Sequence, residues 1–320
     1  MPDWGHVLQE IAALSEQGRQ DAIDVVRKKY SKALEQLTGR NTIAYFSGWL
    51  SKPGVQLLGI NDEDMNAFML CIHGMDRSKG LDLILHTPGG NIAATERIVC
   101  YLHQMFDKNI RAIVPQIAMS AGTMIACSTR EILLGKHSSL GPIDPQIRDI
   151  PAQGVLDEFK QALREIKTDP QAIDVWRPIL EKYHPTFLGQ CKQAIDWTAG
   201  FVRSQLCDVM FEGDPNGTDK AGKIVVALSD TDTHKAHERH ILPETCIGLG
   251  LKIKRLEDDQ ALQDAVLTVH HCFNLTLSNT FCFKIIENHD GVGIQKQQMQ
   301  QVPIPFPIIQ QRPRIGTQVN

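Results

Sequence analysis

The sequence predicts an α/β protein of parallel βαβ units followed by a helix-rich C-terminal part, and three observations carry that expectation. Short apolar runs bounded by turn residues, Leu81–Leu85 foremost, have the pattern of strands covered on both faces. Helical stretches follow these runs, so successive strands are joined by crossovers and pair in parallel. After Pro151 the strand signals thin out and long helical segments take over.

The segment 1–40 is expected to be helical. Ile23, Val26, Tyr30, Ala33, Leu34 and Leu37 recur at helical spacing over 20–38, and Gly39 supplies a left-handed stop. A strand is expected at 42–47. Asn61 and Asp62 offer N-caps to a helix carrying Phe68, Met69 and Ile72. Strand Leu81–Leu85, helix Asn91–Phe106, a strand at 110–117, helix Ser120–Ser128 and strand Glu131–Leu134 complete a core assigned to 41–150. Helices are expected at 152–167, 171–183 and 186–211, divided by Pro170 and Pro185. A turn-rich break at 212–220, a helix at 219–228, a polar His-rich stretch at 231–240, a strand at 251–256 and one helix over 258–287 follow. Together 151–288 reads as a helical subdomain that completes the fold. Repeated Gln and the Pro-rich Val302–Ile308 make 289–320 an extended tail without its own core.

With 320 residues, 42% hydrophobic and 22% charged, the chain can bury a full core. The formal net charge is −4 and the 33 Lys and Arg are scattered, so neither nucleic acid nor an anionic membrane is an expected partner. Met1–Glu10 has no basic and apolar signal pattern, and no apolar run reaches the ~18–20 residues of a membrane span. The expected compartment is the cytoplasm. The eight Cys fall singly, with no Cys-x-x-Cys, and are expected to be buried free thiols of a reducing environment. No metal and no cofactor is expected.

Two segments carry the chemistry. In Thr87-Pro88-Gly89-Gly90, Pro ends the strand and the two Gly permit positive φ and close approach of a ligand. The same four residues also suit an ordinary βα turn. In Ile117-Ala118-Met119-Ser120-Ala121-Gly122, Ser120 stands among small residues at a strand-to-helix break. Ser at that position is commonly an N-cap, but the small neighbours leave room for a nucleophile on a tight turn. There is no Gly-x-Ser-x-Gly elbow and no phosphate loop. A hydroxyl at a helix N-terminus near free backbone N–H groups meets the needs of acyl transfer.

Leu-Ile-Leu-His-Thr-Pro-Gly-Gly (83–90) followed by Ala-Met-Ser-Ala-Gly-Thr (118–123) resembles the Clp protease and signal peptide peptidase A group of serine peptidases, within the crotonase-like superfamily. Leu140–Gln146, Thr233–Ile241 and Gly248–Leu251 resemble its serine dehydrogenase proteinase branch, soluble relatives of signal peptide peptidase A. The resemblance covers roughly residues 40–290 and implies a crotonase/Clp-like α/β core. It implies Ser120 as nucleophile and the backbone N–H groups of Gly90 and Ala121 as oxyanion hole. It also implies self-association into a homo-oligomer.

The general base is left open. At the Clp-like spacing after Ser120 the residue is Pro145 rather than His. The signal peptide peptidase A branch uses a Ser–Lys dyad, for which Lys160, Lys167, Lys182 and Lys192 are candidates. A lysine serves only when burial brings its pKa towards neutrality. Lys182, at an apolar helix end before a turn, is preferred; His137 and His240 stay as alternatives. His234, His237 and His240 at i, i+3 and i+6 also invite a zinc reading, weighed against a hydrogen-bonded loop near the site. The resulting expectation is an ATP-independent serine peptidase acting on a peptide or protein substrate. A crotonase-like acyl-CoA enzyme and a catalytically silent interaction protein are the rivals.

Overall fold

The computed structural model describes residues 4–148, 150–230 and 239–298. Its frame is a seven-stranded sheet. The strands are β1 (Asn41–Ser47), β2 (Leu81–His86), β3 (Ile110–Val114), β4 (Ile117–Ala118), β5 (Glu131–Leu134), β6 (Ser139–Leu140), β7 (Gln146–Ile147), β8 (Ile150–Pro151), β9 (Ile253–Arg255), β10 (Cys282–Asn288) and β11 (Gly293–Gln297). The sheet order is β11-β10-β1-β2-β3-β5-β9, with β4-β6 and β7-β8 as separate two-stranded pairs. From β1 to β9 every pairing is parallel; β10 pairs antiparallel with both β1 and β11.

Successive side chains of a strand face opposite sides of the sheet, and both sides are covered here. Ile43, Tyr45, Leu81, Leu83, Leu85, Ala112 and Val114 enter the larger core. They pack with α3 (Asp64–Ile72), α4 (Ile92–Phe106) and α5 (Ala121–Cys127) through Phe68, Ile98, Leu102 and Met124. Ala44, Phe46, Ile84, Ile113 and Leu133 enter the other core, against Leu34 of α2 (Ala22–Thr38), which follows α1 (Trp4–Glu16), and Val266, Val269 and Phe273 of the helix Gln260–Asn279. Gly39 closes α2 at φ 66, donating to Glu35 O. Asn91 caps α4, its side chain accepting from the Ala94 N–H.

Three features differ from the sequence expectation. The single helix expected at 258–287 is Gln260–Asn279 followed by β10, in which every residue is buried. Phe283, Ile285 and Ile286 suit a covered strand, and β1 offers an open edge for them. The C-terminal part therefore returns three strands to the sheet and is not purely helical. The tail expected from 289 begins instead with β11; residues 299–320 lie outside the described residues. The central helices follow expectation more closely: α6 (Ala152–Thr168), α7 (Ile173–Leu180) and α8 (Phe187–Gln205), the last continuing as a π-helical turn to Met210. α6 and α8 share a small core of their own, with Ala152, Val155, Phe187 and Cys191 buried. No helix among the described residues is long and apolar enough to cross a membrane.

Candidate active site

The carboxyl ends of β2 and β3 face one cavity, where open parallel sheets place ligands. Its volume is about 650 Å³ and its walls include Trp49, Gly59, Pro88, Gly89, Gly90, Met119, Ser120, Arg148 and His240. Two backbone stitches bring its two motifs together: Thr87 N–H donates to Ile117 O (3.2 Å) and Met119 N–H to Thr87 O (3.0 Å). Small residues are required where they meet. A Cβ on Gly89 would stand 2.7 Å from Ser120 Cβ, and one on Gly122 would stand 2.6 Å from Thr87 Cγ2.

Ser120 precedes α5 at φ 50 and ψ −115, and its side chain makes no capping bond. A non-glycine residue in that region stores ~1–3 kcal/mol of strain, which the surrounding packing must hold. The ordinary reason for Ser at a helix start, a side-chain cap, does not apply.

Gly89 and Gly90 adopt φ 102 and 152. The Gly89 N–H is taken by Thr87 Oγ1 at 3.2 Å. Gly90 lies in a parallel bridge with Ile60, made by Ile60 N–H to Gly89 O (2.7 Å) and Asn91 N–H to Ile60 O (2.8 Å). In such a bridge the central residue's own N–H points away from the partner strand. A Cβ on Gly90 would collide with the backbone N, O and Cα of Ile60. Ala121 opens α5, so its N–H has no acceptor within the helix.

Among the base candidates, His240 alone shares the cavity with Ser120. Its Nδ1 lies 2.7 Å from Ser139 Oγ. The backbone beside it is pinned by a two-bond bridge, Leu140 N–H to Ile241 O (3.1 Å) and Ile241 N–H to Leu140 O (2.8 Å). When Nδ1–H donates to Ser139, Nε2 carries the lone pair a base needs. Lys182, preferred from sequence, is exposed in the turn after α7 and is not in the cavity wall. It lacks the burial on which the Ser–Lys argument depended. Lys160, Lys167, Lys192 and His137 are exposed as well, with Lys160 paired to Asp157 at 2.8 Å. His234 and His237 lie outside the described residues; among those described, no group of three or more His, Cys, Asp or Glu is arranged for a metal ion.

Sequence reasoning did not single out two buried titratable groups near the site. Lys284 is a fully buried amine whose pKa burial lowers to about 8, yet its Nζ is engaged by Gly59 O and Asp64 rather than by Ser120. A lysine between the apolar Phe283 and Ile285 is its only signal in the sequence. His86, within the glycine motif, turns instead to a second cavity of about 320 Å³ with His270, and its ring lies 4.4 Å from that of Trp49. Burial holds His86 far below the usual imidazole range, at about 3.

Comparison with known proteins bears on this geometry. The family model of ClpP-like SDH-type serine proteinases matches residues 13–181. The chain belongs to this family. The matched span contains Gly90, Ser120 and Ala121 and ends before Lys182, His240 and Lys284. An uncharacterized protein of Methanocaldococcus jannaschii is 31% identical over 194 residues, 61% of this chain and 60% of that protein. A second uncharacterized protein of the same organism is 37% identical over 100 residues, 31% of this chain and 34% of that protein. The chain thus spans about 60% and about a third of these curated relatives' lengths. No solved structure matches. Membership in this ClpP-like family agrees with the mostly parallel α/β core.

Proposed function

We propose that this protein is an ATP-independent serine peptidase that cleaves peptide bonds through an acyl-enzyme. The reading rests on one observation above the rest: Ser120 is held at φ 50 and ψ −115, uncapped, in the wall of a cavity that Gly90 also lines. Ser120 Oγ attacks the scissile carbonyl and gives its proton to His240, which passes it to the departing amine. The N–H groups of Gly90 and Ala121 donate to the tetrahedral oxyanion, an arrangement that costs no reorganisation during reaction. Water then attacks the ester, with His240 again taking the proton, and Ser120 is released. An extended peptide lying against a sheet edge beside the cavity gains main-chain hydrogen bonds as an added strand.

His240 replaces Lys182 in this scheme because the cavity contains the imidazole and not the amine. A cytoplasmic setting belongs to the same reading, supported by eight free cysteines. So does self-association, supported by exposed apolar side chains on the helical part, Leu163 and Val175 among them. The test is labelling by a fluorophosphonate probe, with hydrolysis of a peptide ester followed in parallel. Covalent labelling of the parent and none of Ser120→Ala is the expected result. Equal labelling of both removes Ser120 as nucleophile.

A further inference from the structure

A charged residue in the middle of a covered strand is costly unless its partners are complete. Lys284 of β10 is such a residue, with no exposed surface. Its Nζ reaches Asp64 Oδ2 at 3.1 Å and Oδ1 at 3.2 Å, and Asp64 is also fully buried. Asp64 accepts further from Tyr45 OH (2.8 Å), Lys296 Nζ (3.0 Å) and the Asn61 N–H (3.1 Å). A buried ion pair adds little net stability, because desolvation offsets most of the attraction. The remaining bond of Lys284 is what distinguishes it: Nζ donates to Gly59 O at 2.6 Å.

Ser47 is the cross-strand neighbour of Lys284, and its hydroxyl donates to Leu58 O at 2.8 Å. Two adjacent residues of the sheet thus grip two consecutive carbonyls, and Asp64 takes the N–H of Asn61. The residue between them, Ile60, gives its N–H to Gly89 O and takes that of Asn91. The backbone of Ile60 occupies the space a Gly90 Cβ would need. Wherever the 58–61 segment sits, Gly90 must follow.

We propose that Lys284, with Asp64 and Ser47, is a positioning residue that holds the Gly90 N–H at the oxyanion through the 58–61 segment. This rests on the peptidase reading above. Neither Lys284 nor Asp64 lines the cavity with Ser120, so their effect is on geometry and not on the reacting atoms. Oxyanion donors must lie about 2.7–3.1 Å from the developing charge, and a shift of ~1 Å costs about 100-fold.

The experiment is the kinetics of fluorophosphonate inactivation, which separates initial binding from the covalent step. Lys284→Met is expected to lower the covalent rate constant about 10- to 100-fold while probe affinity stays within about twofold. Ser47→Ala, a smaller cut in the same clamp, is expected to lower it about 3- to 10-fold and carries the test if Lys284→Met does not fold. Arg27→Met is the control: it removes another buried pair to β10, Arg27–Glu287 at 2.8 Å, and is expected to lower the melting temperature without changing the covalent rate. A folded Lys284→Met, or Ser47→Ala, with the parent's covalent rate overturns the clamp while an unlabelled Ser120→Ala keeps the nucleophile. An equal loss in Arg27→Met also overturns it, because the effect would then be general. Labelling that persists in Ser120→Ala overturns both readings.

Discussion

The two ends of strand β2 are built on opposite principles. At its start, Asp82 is fully buried and held by Arg40 Nε at 2.7 Å and Arg111 Nη2 at 2.6 Å. Arg40 also donates to the carbonyls of Leu81 and Asn109, so neighbouring strands are locked at that edge by satisfied charge. Four residues beyond, His86 has a buried Nδ1 without a hydrogen-bond partner, and the chain then passes through Gly89 and Gly90 at positive φ against a strained Ser120. One end spends its polar groups on mutual satisfaction. The other keeps donors and a hydroxyl free and stores strain, as sites that bind and react do. The difference predicts that changes at the start of β2 alter stability and changes at its end alter turnover.

The sharpest test of that contrast is Ser120→Ala, expected to abolish labelling and ester hydrolysis while shifting stability by no more than ~1 kcal/mol. A thermal melt beside the activity assay checks both halves. His240→Gln should lower turnover about 100- to 10,000-fold, the contribution of a general base, with the fold kept. If Lys182→Met does so instead and His240→Gln is inert, the base is the lysine and the geometric argument fails. Gly90→Ala should reduce turnover about 100- to 1,000-fold, since its Cβ meets Ile60 and the donor is displaced. Parent-like turnover in that variant would remove Gly90 from the site.

At the other end, Asp82→Asn should cost ~3 kcal/mol by leaving two guanidinium groups without their carboxylate, while turnover per folded molecule is unchanged. Chemical denaturation and active-site titration separate the two effects. A smaller effect concerns acid. Burial keeps the His86 ring neutral, with a folded pKa of about 3 against an ordinary 6.5, and pushes His270 in the same direction. The unfolded chain therefore takes up protons first. The stability that neutrality supplies is complete above about pH 6.5 and is lost as pH falls towards 3. The melting temperature of His86→Leu, followed from pH 7 to 4, should fall less steeply than the parent's. A parallel fall in both would leave the acid sensitivity elsewhere.

Much of this architecture is legible in the sequence. Leu81–Leu85 is apolar at every position but Asp82 because a central parallel strand is covered on both faces, and the run ends where Pro88 stops it. Ser120 and Gly90 stood out for a similar reason: small residues at a strand-to-helix break are local necessities, visible in single positions. Gly89 and Gly122 are small because a Cβ on either would come within 3 Å of the other motif. Residues 280–287 read as helix from sequence because a short buried strand and a buried helix end share one composition, and only the open edge of β1 separates them.

What the sequence determined by itself were the features set by neighbours along the chain: strand runs, caps, the glycine turn and the lone serine. Tertiary structure alone decided which distant groups meet them. His240 reaches the Ser120 cavity through a bridge between Leu140 and Ile241, and Lys284 reaches Gly59 because β10 pairs with β1. Lys182, which local pattern favoured, is left in solvent. The physical reason is that burial and charge partners are properties of the packed whole. A lysine's desolvation and a histidine's reach depend on which strand lies beside it, and no spacing along one chain encodes that.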